Sequence, residues 1–391
     1  MRQRENAVSL RYNVADLAAR GPVTITAVEA WRISVPMLEP FRISSGEVSQ
    51  KDAILVRLSH DANYGWGESS AMPGGFYSAE TPDSCERQLI HEILPRLVGR
   101  SWATIGAFEQ EIAELAASRF VRVTLETAVW EMLARAAGKP LRAYLGLPEG
   151  QPVPSGLAVG LYGSNAELLA AIERYGYRSY HRLKIKIKRG ADLALVKAVR
   201  EKVGSFPFFV DANADYSLAD LEVFRQMDHY GLMMLEQPFG KDDLEASAEL
   251  QRQVRTPICL DESVETAEDA LRVAQLGAAR IVNIKLQRVG GYLEALRIAD
   301  CCERHGIAFW MGTMPELGVG SAQALIFATH PGCTYPTDVE PSARWYSGDI
   351  ISPRLEMENG QFMLPDGPGL GYCVDTEHWK PYVRSHWSMS Q

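Results

Sequence analysis

Three acids each close a short apolar run: Asp211 after Pro207-Phe-Phe-Val, Glu236 after Leu232-Met-Met-Leu, and Asp261 after Pro257-Ile-Cys-Leu. They stand 25 residues apart, with Lys186 a further 25 residues before and Lys285 a further 24 residues after. About 25 residues is the length of one strand–loop–helix–loop unit. The spacing therefore predicts five ionisable groups at the same place in five successive βα units. In a closed parallel barrel the C-terminal strand ends converge on one mouth, where such groups meet.

The chain has 391 residues, room for a barrel and a second domain. Its net charge is −9 and it shows no basic stripe, which argues against nucleic acid or an anionic membrane as partner. No apolar run reaches the roughly 18 residues a spanning helix needs, and no apolar segment follows the charged N-terminus to suggest a secretory signal. The six cysteines (85, 259, 301, 302, 333 and 373) lack metal-ligand spacing and read as free thiols in a reducing cytoplasm.

Residues 1–21 are polar and unpatterned, an N-terminal extension. Strand signals at 23–31 and 53–58 flank a loop-like stretch at Glu39–Gly46, and a second loop covers Gly65–Ser69 and Met72–Tyr77. Helical periodicity follows at 80–96, 105–117 and 121–137. Strands first and helices afterwards predict an α+β capping domain over 22–150. A barrel with the active site is expected over 151–338. Its strands are read at 152–160, 180–187, up to Asp211, Glu236 and Asp261, then 280–285, 306–311 and 333–338. Helices at 191–203, 217–229, 244–254, 266–276, 291–305 and 318–330 separate most of them. Beyond 339 the rhythm is lost, and the segment 339–391 is expected to return to the capping domain.

Asp211, Glu236 and Asp261 offer only hard oxygen donors, which suits Mg²⁺ or Mn²⁺ better than Zn²⁺. Three acids on surface loops is the plainer alternative, but it leaves the buried run before each acid unexplained. Asn213 and Glu262 follow closely as substrate or supporting groups, with an Asx-turn the competing role for Asn213. Lys184, Lys186 and Lys188 alternate with apolar residues and so share one strand face. Lys186 suits the mouth, Lys184 the layer beneath and Lys188 solvent, while Lys285 ends the strand on the opposite wall. Two lysines flanking a metal imply removal of a proton beside a small carboxylate substrate, with the metal stabilising the enediolate. The positive surroundings should lower the Lys186 pKa towards neutrality. Racemisation, β-elimination and cycloisomerisation all remain open, as does a barrel that binds an anionic ligand without catalysis.

In order and spacing, Lys184-Ile-Lys186, Asp211-Ala-Asn213, Glu236-Gln-Pro238, Asp261-Glu262-Ser263 and Lys285 resemble the enolase superfamily, and within it the muconate-lactonizing subgroup. The run Asn283-Ile-Lys-Leu-Gln-Arg288-Val-Gly-Gly-Tyr is most similar to its o-succinylbenzoate synthase and N-acylamino acid racemase branch. The resemblance implies an α/β fold, an α+β cap on a (β/α)7β barrel, and a homo-oligomer. It implies Mg²⁺ on Asp211, Glu236 and Asp261, Lys186 and Lys285 as acid/base pair, and Lys184 stabilising the enediolate. Specificity loops would span 39–50 and 70–80, with Phe41, Arg42, Phe76 and Tyr77 as contacts or simply as loop packing. The chain departs from the branch at Met311-Gly-Thr313-Met314-Pro315-Glu316, where relatives carry a second glycine and an aliphatic residue, and at Ala158 in place of serine. Those positions are expected to reshape the substrate pocket. Residues 307–316 lack the histidine of mandelate-racemase-like dehydratases, which disfavours that chemistry.

Overall fold

The computed structural model describes residues 13–43, 46–75, 77–116 and 118–391. An antiparallel sheet of four strands runs in the order Val383–Ser390, Ala27–Ile43, Gly46–His60, Asn63–Ser69. Its inner face carries Val28, Ala30, Ile54, Val56 and Leu58, all buried under the helix Arg119–Ala136 and its neighbours. That helix lies so close to the last strand that a methyl group on Gly65 or Gly67 would strike the backbone of Ala128 or Thr124. Contact at that distance accounts for the glycines of Gly65-Trp-Gly.

A second sheet holds seven parallel strands in strict chain order: Leu157–Val159, Leu183–Lys186, Phe208–Asp211, Leu235–Glu236, Ile258–Leu260, Ile281–Ile284 and Ala308–Met311. Helices intervene, among them Asp192–Val203, Leu244–Gln253, Ala267–Leu276, Tyr292–His305 and Gly318–Ala328. Thr266 and Asp269 form a reciprocal capping box at one start, and left-handed Gly277 ends the same helix. The sheet is curled, and its interior is filled by Phe209, Met234, Cys259, Ile281 and Trp310. No helix among the described residues is long and apolar enough to cross a membrane.

Several expected elements differ. The strand expected over 152–160 splits into Val153–Pro154, which pairs antiparallel with Gln361–Phe362, and Leu157–Val159. The strand at 180–187 shortens to Leu183–Lys186. The segment expected as an eighth strand makes only isolated parallel bridges, Cys333 to Phe309 and Thr337 to Ser155. Pro336 interrupts it, because proline has no N–H to offer a ladder. The helix expected at 80–96 changes winding, with Gln88–Ile93 opening into a wider π turn before Pro95. That expected at 217–229 is α-helical only over Leu221–Met227, with 3₁₀ turns on either side.

The loop expected at 39–50 is instead an extension of the hairpin. Pairing lapses after Pro36 and resumes with Phe41 opposite Val48 and Arg42 opposite Glu47. An Arg42–Glu47 ion pair lies across that step, and opposite charges facing each other favour strand pairing. At the N-terminus Asn13 caps a short helix, Val14–Ala18, which buries Leu17; residues 1–12 lie outside the described set.

Candidate active site

Parallel pairing sets Lys186 opposite Asp211 and Asp211 opposite Glu236, so these three side chains share one level. The next step is staggered. Glu236 pairs with Cys259, which leaves Asp261 two residues further along, beyond the strand end. Leu260 then pairs with Val282, placing Lys285 further out again. The evenly spaced groups therefore rise like a stair around the curled sheet, as the register stagger of such sheets requires. They do not lie at one height, as the spacing alone predicts.

Burial makes the pairing of these charges compulsory. Asp211, Glu236 and Asp261 are 0% exposed, and Lys184, Lys186 and Lys285 are 3–6% exposed. Lys184 Nζ lies 3.0 Å from Asp211 Oδ2 and 2.8 Å from Glu236 Oε2, and donates to Glu236 Oε1 at 3.0 Å. Lys186 Nζ donates to Asp211 Oδ2 at 2.6 Å. Lys285 Nζ donates to Asp261 Oδ2 at 2.9 Å, and the Arg288 guanidinium pairs with the other oxygen of that carboxylate. The acids at the two ends of the stair thus each carry one of the two candidate bases.

The surroundings separate these groups electrostatically. Burial opposes charge on Asp261, but Arg288 and Lys285 outweigh it and hold that carboxyl well below its usual range. Glu236 is pushed up to about 8, by burial first and then by Asp211. Glu262 is pushed up to about 7, by burial and by Asp261. Burial also works against the Lys285 ammonium, yet Asp261 beside it keeps its pKa above the ordinary lysine range.

Among the described residues no three Asp, Glu, His or Cys side chains are arranged to hold a metal ion as they stand. Their oxygens are turned instead to ammonium and guanidinium groups. The donor set nevertheless suits a hard divalent cation, being buried and all oxygen. Glu236 Oε2, Glu262 Oε2 and Asn213 Oδ1 are buried oxygens that accept no hydrogen bond; Lys184 reaches the first of them only at an angle outside hydrogen bonding. Asn213 Nδ2 donates to Glu262 Oε1 at 3.2 Å, so these two stand together. The Asx-type turn here belongs to Asp211, whose Oδ1 accepts from the Asn213 N–H at 2.9 Å, with Asn213 at φ 43°.

The residues expected on the specificity loops divide into two groups. Tyr77 meets the charged cluster directly, its hydroxyl accepting from Lys285 Nζ at 3.1 Å. It also lines a cleft of about 580 Å³ together with Ser78, Lys241, Glu262 and Arg288. Phe41 lies elsewhere, against Met314 and Pro315 in a small apolar cavity, with its ring edge-on to Trp345 at 5.1 Å. Arg42 is exposed beside Tyr162 and Lys188 and touches none of the central acids. Phe76 lies outside the described residues. Thr313 is half-buried, Met314 is buried, and Glu316 is a buried acid pushed up to about 7 by burial, its Oε1 accepting from the Met314 N–H.

Four residues not predicted from sequence complete the site. Asn283 Nδ2 donates to Glu236 Oε1 at 2.8 Å from the next strand but one. Arg182 Nη2 donates to Asp338 Oδ1 at 2.6 Å, and its guanidinium lies 4.9 Å from the centre of Phe209 and 5.2 Å from that of Trp310. Gly156 leaves the space that Arg182 fills. Asp338 also accepts from Lys184 at 3.1 Å. The alternation that exposes Lys184 and Lys186 as inward-facing extends back to Arg182, a signal that was legible.

Comparison with known proteins identifies the family. Residues 165–379 match the family described as enolase C-terminal domain-like, and residues 26–146 match the mandelate racemase/muconate lactonizing enzyme N-terminal domain. The chain is 35% identical to an o-succinylbenzoate synthase of Bacillus subtilis (strain 168), over 92% of this chain and 97% of that protein. It is 39% identical to an N-succinylamino acid racemase of Amycolatopsis sp, over 89% and 94%. A crystal structure of an enolase superfamily member from Listeria innocua superposes with a TM-score of 0.88 at 30% identity, covering 94% of this chain and 99% of that one. The chain belongs to the enolase superfamily, and it is an enzyme of the lyase or isomerase kind.

Proposed function

We propose that this enzyme removes the proton α to the carboxylate of a small substrate, using Lys186 and Lys285 from opposite sides. The observation that carries the reading is the pairing of each lysine with its own buried acid, Asp211 for Lys186 and Asp261 for Lys285, at the two ends of one carboxylate cluster. The neutral amine of one lysine takes the α-proton, and the C–H electron pair moves into the enediolate. The ammonium of the other then returns a proton to the opposite face, giving racemisation. Alternatively, the enediolate electron pair forms the C=C bond as the β C–O bond breaks. The lysine that took the α-proton gives it to the departing hydroxyl, and water and an alkene result. Lys184 supplies fixed positive charge beneath the developing enediolate.

Superfamily members generally bind Mg²⁺, and in this chain Asp211, Glu236 and Asp261 would hold it, Mn²⁺ being a possible substitute. When bound, such an ion supplies Lewis-acid stabilisation of charge on the substrate carboxylate. The relatives named o-succinylbenzoate synthase and N-succinylamino acid racemase support syn elimination of water, racemisation of an N-acylamino acid, or both. A muconate-type cycloisomerase shares the lysine pair and is the alternative; a relative at 27% identity carries the name muconate cycloisomerase.

The same reading extends to architecture. Segment 333–338 completes a (β/α)7β barrel over 151–338, capped by 22–150 with 339–391 returning to the cap and 1–21 as an extension. Pairing of Val383–Ser390 with Ala27–Ile33 supports the return of the C-terminal segment. Free thiols at all six cysteines fit a reducing cytoplasm, and the family resemblance is what suggests a homo-oligomer.

The test is proton exchange at the α-carbon, followed by NMR in D₂O with Mg²⁺ and N-succinylamino acids. Exchange of both enantiomers is expected. A protein that exchanges no acyl amino acid and does not form o-succinylbenzoate from its cyclohexadiene precursor is something else.

A further inference from the structure

Lys285 touches the cap through Tyr77, and two residues away Gln287 touches it again. Gln287 is 1% exposed and sits in the helical turn Leu286–Val289 that follows the sixth parallel strand. Its Nε2 donates to the Glu68 carbonyl at 2.8 Å, and its Oε1 accepts from the Ser70 N–H at 2.9 Å. One carboxamide thereby makes the two bonds that a neighbouring strand would make with the end of Asn63–Ser69. The Glu68 carboxylate points the other way, accepting from the Leu317 and Gly320 N–H groups at 2.7 and 2.8 Å. Residue 68 is thus gripped by the turns after both the sixth and the seventh strands.

The chain then runs from Ser70 to Tyr77, whose hydroxyl accepts from Lys285 Nζ and whose ring centre lies 5.3 Å from that ammonium. Lys285, Gln287, Ser70 and Tyr77 form a closed circuit, with two short covalent legs and two hydrogen-bonded ones. Lys186 stands outside it, paired with Asp211.

We propose that Gln287 is a positioning residue for one face of the site: its carboxamide clamps the capping segment to the turn that carries Lys285, and so sets Tyr77 against that lysine alone. This rests on the two-lysine reading above. The clamp acts on geometry, since a displacement of about 1 Å at a reacting group can cost up to about a hundredfold in rate.

Gln287→Met keeps the volume and removes both hydrogen bonds. In this variant, D₂O exchange is expected to fall at least about tenfold for one enantiomer of an N-succinylamino acid and to stay within about twofold for the other. Tyr77→Phe should impair the same enantiomer, and the double variant should lose less than the product of the two effects. Amide hydrogen exchange should quicken across 68–80 and stay unchanged at the strand ends holding Asp211. Equal loss for both enantiomers, or no loss with quickened amides, overturns the positioning role. If Gln287→Met does not fold, Gln287→Glu, which keeps only the acceptor for Ser70, replaces it in the same comparison. Wild-type protein that exchanges neither enantiomer would sink the two-lysine reading and the one-face proposal with it. In that case quickened amides would still report the clamp itself.

Discussion

Lys184 Nζ stands 3.1 Å from Asp338 Oδ2, and through that contact one ammonium joins three buried carboxylates: Asp338, Asp211 and Glu236. The chain of charge continues to Arg182 on the far side of Asp338. Loss of Lys184 removes the ammonium that contacts Glu236 and one of the two cations that hold each of Asp211 and Asp338.

Lys184→Met should therefore destabilise the protein by about 3 kcal/mol or more, the cost of breaking a buried pair from one side. Urea denaturation would show it as a lower midpoint at unchanged slope. Adding Asp338→Asn to Lys184→Met should cost less than the sum of the two single losses. Fully additive losses would show that the two do not interact.

The lysines at the two ends of the stair should separate by face. Lys186→Ala and Lys285→Ala are each expected to abolish α-proton exchange from one enantiomer and spare some exchange from the other. Either variant keeping full activity on both would rule out the two-base scheme.

His330 gives stability a dependence on pH. It is 1% exposed, lies between Phe327 and Phe309, and its Nδ1 accepts from the Gly332 N–H at 3.0 Å. Burial lowers its pKa from 6.5 to about 4. Above 6.5 neither folded nor unfolded chain holds the extra proton. Between 6.5 and about 4 only the unfolded chain does, so stability falls as the solution is acidified. The loss from pH 7 to pH 5 should be about 2 kcal/mol. His330→Gln should flatten that part of a pH series of urea midpoints.

Glu126, on the helix Arg119–Ala136, meets the start of the helix Tyr292–His305. Its carboxylate accepts from the Tyr292 and Leu293 N–H groups, both at 2.9 Å, and from Trp130 Nε1 at 2.8 Å. Glu126→Ala strands those donors and should cost about 2 kcal/mol. Gly291→Ala should also destabilise, because its φ is 142° and a methyl group there would meet the Glu126 carboxylate. A thermal midpoint unchanged in both would mean this junction carries no stability.

Much of this was legible in the chain. An acid or lysine closing each buried run marked the strand ends, and the resemblance of those motifs pointed to the superfamily. What was not legible is of two kinds. Local periodicity says nothing about how far one strand slides past the next, so the stair formed by Glu236, Asp261 and Lys285 looks like a level row in the sequence. Groups whose partners are distant in sequence, such as Gln287 with Ser70 or Arg182 with Asp338, carry no periodic mark. The stretch 39–50 reads as a loop in the sequence because Pro36 and the residues after it hide the pairing that resumes at Phe41.

The register of the parallel strands has a consequence for how such a chain can vary. Lys186, Asp211 and Glu236 are neighbours across backbone ladders, while the covalent path between any two of them runs out through a helix and back. Residues gained or lost in those excursions leave the three side chains where they are. One residue gained inside a strand turns every side chain beyond it to the opposite face. The outer helices of this protein are accordingly free to drift in length or to be exchanged piecemeal with those of its relatives, whereas the strands tolerate replacement only residue for residue.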